Sequence, residues 1–129
     1  ALQMLDLSGD QQLSQLHAGT FTGLSRLLSV LLPDSIRELH PQAFTGLSSL
    51  PSLDLSRTRL YVLPADSFAG LGSVTELTVP GSLRTLEAGC FDGLSSLPSL
   101  DLHHLYLQTL VADTFRGLHN VAALSLPRL

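Results

Sequence analysis

The chain repeats itself, and this limits its fold more than any other feature. Residues 46–55 read GLSSLPSLDL, and residues 93–102 read the same ten letters, 47 residues further on. The five phenylalanines refine the period. Phe21, Phe44, Phe68, Phe91 and Phe115 are spaced 23, 24, 23 and 24 residues apart, and each opens an F-x-G-L tetrad. The unit is therefore half of the 47, and the identical ten-mers point to duplication of a two-unit piece that kept its alternating lengths. Periods of about 20–50 residues are the signature of stacked repeats, each a supersecondary element that cannot bury its apolar face alone.

Aligned on the phenylalanines, six copies of L-x-x-L-x-L appear, beginning with Leu2, Leu5 and Leu7, recurring as Leu50, Leu53 and Leu55, and ending with Val121, Leu124 and Leu126. The alternation Leu53-Asp54-Leu55 predicts a short strand with one buried face. The spacing then changes: Leu60 and Leu63 lie three apart, Pro64 follows, and Phe68-Ala69-Gly70-Leu71 closes the unit. The chain thus leaves the strand, runs back along an outer side and returns, and the next strand is predicted to pair beside the first in parallel. The phenylalanines are predicted to stack in the core. The tetrad glycines (Gly23, Gly46, Gly70, Gly93 and Gly117) fall where a positive φ is needed, which glycine adopts without steric penalty.

The composition suits such a core. Apolar residues make up 44% and aromatics 5%, with no Trp, so leucine layers replace mixed large side chains. The net charge is −4, Lys is absent, and no basic stripe is visible, so direct nucleic-acid binding is not indicated. The longest apolar run, Leu27–Leu32, is interrupted by Ser29 and is far shorter than the roughly 20 residues of a membrane span. The first ten residues lack the basic start and apolar stretch of a signal peptide. Asn120, the sole Asn, is followed by Val-Ala, so there is no N-glycosylation acceptor.

These residues resemble the extracellular, typical leucine-rich repeat, LxxLxLxxNxLxxLPxxxFxxLxx. Leu53–Val74 follows it closely, including Leu63-Pro64 and Phe68. The resemblance implies an α/β-type leucine-rich-repeat solenoid, a horseshoe arc with short parallel strands on its concave face and mostly turns on its convex side. Residues 1–129 then form one array of about five full repeats plus a partial sixth that is cut off at Leu129. No Cys-rich caps are present, so the chain reads as an excerpt from a longer ectodomain. The family's asparagine position is occupied by Asp10, Thr58 and Leu105, and in the two units that are one residue shorter Ser35 and Ser82 lie nearest to it. Leucine cannot bond backbone there, so irregularity is expected near His103–Leu107.

Solenoids bind through the surface that their curvature presents. The strand residues expected on the concave face are Asp6, Ser29, Leu31, Ser52, Asp54, Ser56, Glu76, Thr78, Ser99, Asp101 and His103, with Met4, Ser8, Pro33, Pro80, Ala123, Ser125 and Pro127 in the same rows. An Asp on alternate strands makes this face mildly acidic. His17 and His40 each precede their Phe by four residues, so they should stack about 5 Å apart, at the strand-to-strand spacing, in adjacent repeats. Histidine changes charge between about pH 5 and 8, so this is a candidate pH-sensitive pair. Strand alternation places Asp101 and His103 on one face and His104 on the other, too few convergent ligands for a metal. No serine has a histidine and carboxylate placed to activate it. Cys90 occupies a slot that holds Thr20, Ala43, Ser67 and Thr114 in other units, which predicts a structural thiol. No catalytic residue, metal or cofactor is expected.

The alternating unit lengths, absent asparagines and F-x-G-L tetrads are similar to the ectodomains of Toll-like receptors. That resemblance implies recognition of a protein or microbial ligand, signalling through a homo- or hetero-dimer partner ectodomain, and a place outside the cell or in the endosomal lumen. Adhesion and matrix proteins carry the same repeats and are the alternative.

Overall fold

The computed structural model describes residues 2–127; Ala1, Arg128 and Leu129, and with them the expected end of the partial sixth repeat, lie outside them. Among the described residues ten short strands occur: β1 (Met4–Asp6), β2 (Gln15–Leu16), β3 (Ser29–Leu31), β4 (Glu38–Leu39), β5 (Ser52–Asp54), β6 (Val62–Leu63), β7 (Glu76–Thr78), β8 (Thr85–Leu86), β9 (Ser99–Asp101) and β10 (Ala123–Ser125). There is no helix among the described residues, and hence none long and apolar enough to cross a membrane. The three-residue strands form one row of a parallel solenoid. The two-residue strands form a second row, and turns through the F-x-G-L tetrads complete each coil.

The leucines and phenylalanines behave as their spacing predicts. Leu53, Leu55, Leu60, Leu63, Phe68, Leu71 and Val74 of one unit are all buried, as are most of their counterparts. The five rings form one stacked column, with centroid separations of 5.9, 6.3, 6.1 and 6.1 Å. All five tetrad glycines have positive φ. At Gly46 the requirement is also steric, because a Cβ there would stand 2.6 Å from the Phe21 carbonyl oxygen of the preceding layer.

The residue two before each Phe is left-handed as well. Gly19, Gln42, Asp66, Gly89 and Asp113 all have positive φ. Their backbones form a seam, in which Gln42 donates to Asp66, Asp66 to Gly89 and Gly89 to Asp113, at 2.9, 3.2 and 3.0 Å.

Strand pairing departs from the predicted continuous ladder. The strands pair in twos: β1 with β3, β5 with β7, β9 with β10, and in the second row β2 with β4 and β6 with β8. If each unit is counted from its three-residue strand to its Phe tetrad, units 1–2, 3–4 and 5–6 form three blocks. In the row of three-residue strands, proline explains the breaks. At the head of the second strand in each block an amide donates to the block's first strand: Leu28 to Gln3, Thr75 to Pro51 and Ala122 to Pro98, all at 2.8 Å. The same position at the head of β5 and β9 is Pro51 and Pro98, which have no N–H. At the foot, Leu7, Leu55 and Leu102 donate across the block to Leu31, Thr78 and Ser125, again at 2.8 Å. Their counterparts Leu32 and Val79 precede Pro33 and Pro80 and make no such bond.

The slot that normally holds asparagine follows the same blocks. Ser35 donates to the Leu13 carbonyl at 2.6 Å and Ser82 to the Leu60 carbonyl at 2.5 Å, each linking unit to unit within a block. Thr58 instead bonds Leu55 of its own unit at 2.7 Å, and Leu105 offers no polar atom. The irregularity expected around His103–Leu107 is not at those residues, where the Leu105 amide closes the turn on the Leu102 carbonyl at 3.1 Å as in units 1 and 3, but just beyond them. Unit 5 lacks a second strand and keeps only an isolated bridge from Thr109 to Thr85.

Candidate binding face

The strands place Asp6, Leu31, Ser52, Asp54, Ser56, Glu76, Thr78, Ser99, Asp101 and His103 at the surface, with Ser29 half-buried. Three residues assigned to the same rows do not belong there. Pro33, Pro80 and Pro127 are buried. Alternation fails at them because each strand has ended two residues earlier, and the ring follows the chain as it turns inward.

The alternate aspartates have a structural task. Asp6, Asp54 and Asp101 each accept the amide of the residue two further on (Ser8, Ser56 and His103) at 2.9, 2.8 and 3.0 Å. In the other units that residue is proline, with no amide to offer, and the aspartate is replaced by Leu31, Thr78 or Ser125. The Ser8 hydroxyl also donates to Asp6, at 2.5 Å, and with the Ser8 amide holds that carboxyl below its ordinary value. The His103 ring lies against the Asp101 carboxylate and, with the His103 amide, lowers Asp101 in the same way.

His104 corrects a second expectation. Asp101 ends β9, and the Leu105 amide bonds the Leu102 carbonyl at 3.1 Å, so His103 and His104 occupy the two outer corners of a tight turn. Both rings therefore project outward. One donor atom from each of Asp101, His103 and His104 lies within 4.8 Å of the others.

The His17 and His40 rings are stacked with centroids 4.2 Å apart and planes 23° apart. His40 Nε2 is 3.1 Å from Gln15 Oε1 and 3.5 Å from Glu38 Oε1. Beside His40, a groove of about 490 Å³ is lined by Arg37, Glu38, Pro41, Tyr61, Pro64 and Glu87, where β4 and β6 stay unpaired. Cys90 is buried against the Thr114 carbonyl. Burial pushes its thiol up to about 12, and Asp92 and Glu87 push the same way. Such a group is a packing element and not a nucleophile.

Sequence reasoning passed over the tyrosines. Tyr61 is exposed at the groove, and Tyr106, 75% exposed, has the Arg84 guanidinium 5.8 Å from its ring centre. The available signal was an aromatic inside LYV and LYL, where the flanking leucines are committed to the core.

A model of the BspA-type leucine-rich repeat region matches residues 3–122, in six copies. A search of curated proteins finds no match. Among solved structures, the chain is similar to the crystal structure of a TLR13–ssRNA13 complex, with 22% identity and a TM-score of 0.51. That match covers 96% of this chain and 24% of the other, so the chain spans about a quarter of the length of the protein it resembles. At this identity the likeness concerns the fold.

Proposed function

The chain belongs to the BspA-type leucine-rich-repeat family, and from that premise we propose that it is a ligand-recognition segment of a Toll-like-receptor-type ectodomain, lying outside the cell or in the endosomal lumen. In this reading residues 1–129 act as one array that offers its strand face to a protein or microbial ligand and signals through a dimerised parent. The observation that carries the reading is the exposed row from Asp6 through Asp54 to Asp101, held on a buried leucine scaffold. Nucleophilic catalysis finds little footing, since the one thiol is buried and protonated. RNA is not carried over from the TLR13 complex, because a chain of net charge −4 with aspartates along its strand face disfavours phosphate.

His17 and His40 are proposed as an acid-responsive spot. Two protonated rings at 4.2 Å repel each other, while Glu38 beside His40 offsets part of that repulsion, with Arg37 and Glu87 further along the groove. Following both rings by NMR from neutral to acid pH tests this. Separation of the rings on acidification is the expected result, and an unchanged stack would end the idea.

The receptor reading is tested by the coding sequence of the parent protein. A single apolar span followed by a cytoplasmic signalling domain is expected. A Cys-rich cap followed directly by a stop codon would sink it and favour a secreted adhesion or matrix protein, which the same family match accommodates.

A further inference from the structure

We propose that the turn carrying Asp101, His103 and His104 binds a divalent cation of the zinc class. The turn occurs three times in the chain. Leu7–Asp10, Leu55–Thr58 and Leu102–Leu105 each close with an amide bonded to the carbonyl three residues back, at 3.0, 3.1 and 3.1 Å. Each is headed by an aspartate that accepts the amide two residues on. The outer corners are Ser8-Gly9 in the first, Ser56-Arg57 in the second and His103-His104 in the third. One scaffold therefore presents three different pairs of side chains, and only the third pair is two imidazoles beside a carboxylate.

The surroundings fix which ring nitrogens face the ion. A carbonyl oxygen only accepts, so His104 Nε2, 3.2 Å from the Val79 carbonyl, carries the hydrogen and leaves Nδ1 with a lone pair. His103 Nδ1 already faces the Asp101 carboxylate, so a cation that displaces the hydrogen between them is held by both. A histidine oriented through its other nitrogen by a carboxylate or carbonyl is the usual arrangement around a bound metal.

With one donor atom from each residue within 4.8 Å of the others, little rearrangement is needed. Bonds of about 2.0–2.2 Å to a shared ion hold donors within roughly 4.4 Å of each other, and all three side chains are exposed and free to adjust. Two imidazoles and one carboxylate suit zinc; calcium and magnesium prefer all-oxygen sets. A fourth position stays open toward a depression of about 480 Å³ bounded by Leu105, Tyr106 and Leu126. A water or a donor from a partner protein completes the set there.

Isothermal titration with zinc chloride tests the site. One equivalent is expected, reversed by a chelator. His103→Ser combined with His104→Arg installs the corners of the Leu55–Thr58 turn, so the unfolding midpoint should hold while zinc affinity falls at least tenfold. Asp101→Asn keeps an acceptor for the turn but removes the anionic ligand, and should weaken zinc at least tenfold. The reciprocal graft, Ser56→His with Arg57→His, should add a second equivalent beside Asp54. Absence of saturable uptake, equal affinity in the His103→Ser/His104→Arg variant, or a graft that adds no equivalent would each overturn the proposal.

Discussion

The junction between units 3 and 4 and the junction between units 2 and 3 join nearly identical layers in different ways. At the first, β5 pairs with β7 and β6 with β8, and Ser82 bonds across to the Leu60 carbonyl. At the second, no strand pairs. The layers are held by the stack of Phe44 on Phe68 at 6.3 Å and by a few backbone bonds, such as Arg59 to Ile36 and Gln42 to Asp66. The apolar core thus repeats every unit, while strand pairing repeats every two. The 47-residue period of GLSSLPSLDL is the period of pairing. Each ten-mer carries the proline that withholds an amide from the preceding strand and the aspartate that ties down the turn after its own.

If the core carries most of the unpaired junction, removing it there should have the largest effect. Phe68→Ala is expected to cost about 3–5 kcal/mol and to split denaturant unfolding into two steps, as blocks separate between units 2 and 3. A single sharp transition at reduced midpoint would show that the blocks are not separate folding units. Glycine substitutions sharpen the contrast. Gly46→Ala should cost about 2–4 kcal/mol, combining left-handed backbone with the clash against the Phe21 carbonyl. Gly70→Ala, whose added Cβ would stand 3.1 Å from the nearest atom, Cα of Thr45 across the unpaired junction, should cost about 1–2 kcal/mol. Equal losses would show that the junctions pack alike.

Much of this could be read from the residues. The 23- and 24-residue Phe spacing gave the stacked column, the tetrad glycines gave the positive φ, and the leucine triplets gave the strand row. The pairing blocks were also present in the sequence, in Pro33, Pro51, Pro80 and Pro98, but a proline's effect depends on which neighbour its missing amide would have faced. A one-dimensional repeat does not show that. The strand face was legible up to the last residue of each strand. Beyond it, period-two counting failed at Pro33, Pro80, Pro127 and His104, because a turn does not alternate. The left-handed column was harder to see, since Gln42, Asp66 and Asp113 share it with Gly19 and Gly89 and only an alignment on the Phe brings the five together.

Hydrogen exchange reads the pairing difference directly. The amides of Leu55 and Leu102, each bonded across a block, should exchange at least tenfold more slowly than those of Leu32 and Val79, which are also buried but make no such bond. Matching rates would mean that the boundary strands pair in solution despite their prolines.

The smallest effect is one of pH, and it separates the first units of the blocks from the second. Only the first units head their turns with an aspartate. The Ser8 hydroxyl and amide lower Asp6 from its ordinary value of 3.8, so its ionised form is the one the fold favours. The contribution is therefore fully present above the ordinary value and is lost only as pH falls through the lower folded value. Asp6 is solvent-exposed, so the global loss should be slight and the local one visible. The Ser8 amide should keep its folded chemical shift as pH passes 3.8 and move only at lower pH. Thr78, which stands at the same position in unit 4, offers no carboxylate, and the turn after it, Val79–Ser82, has none either and should show no acid transition of its own. A Ser8 shift that moves at or above 3.8 would mean that the aspartate does not hold the turn, and the alternation of Asp with Leu, Thr and Ser would then need a cause other than the prolines.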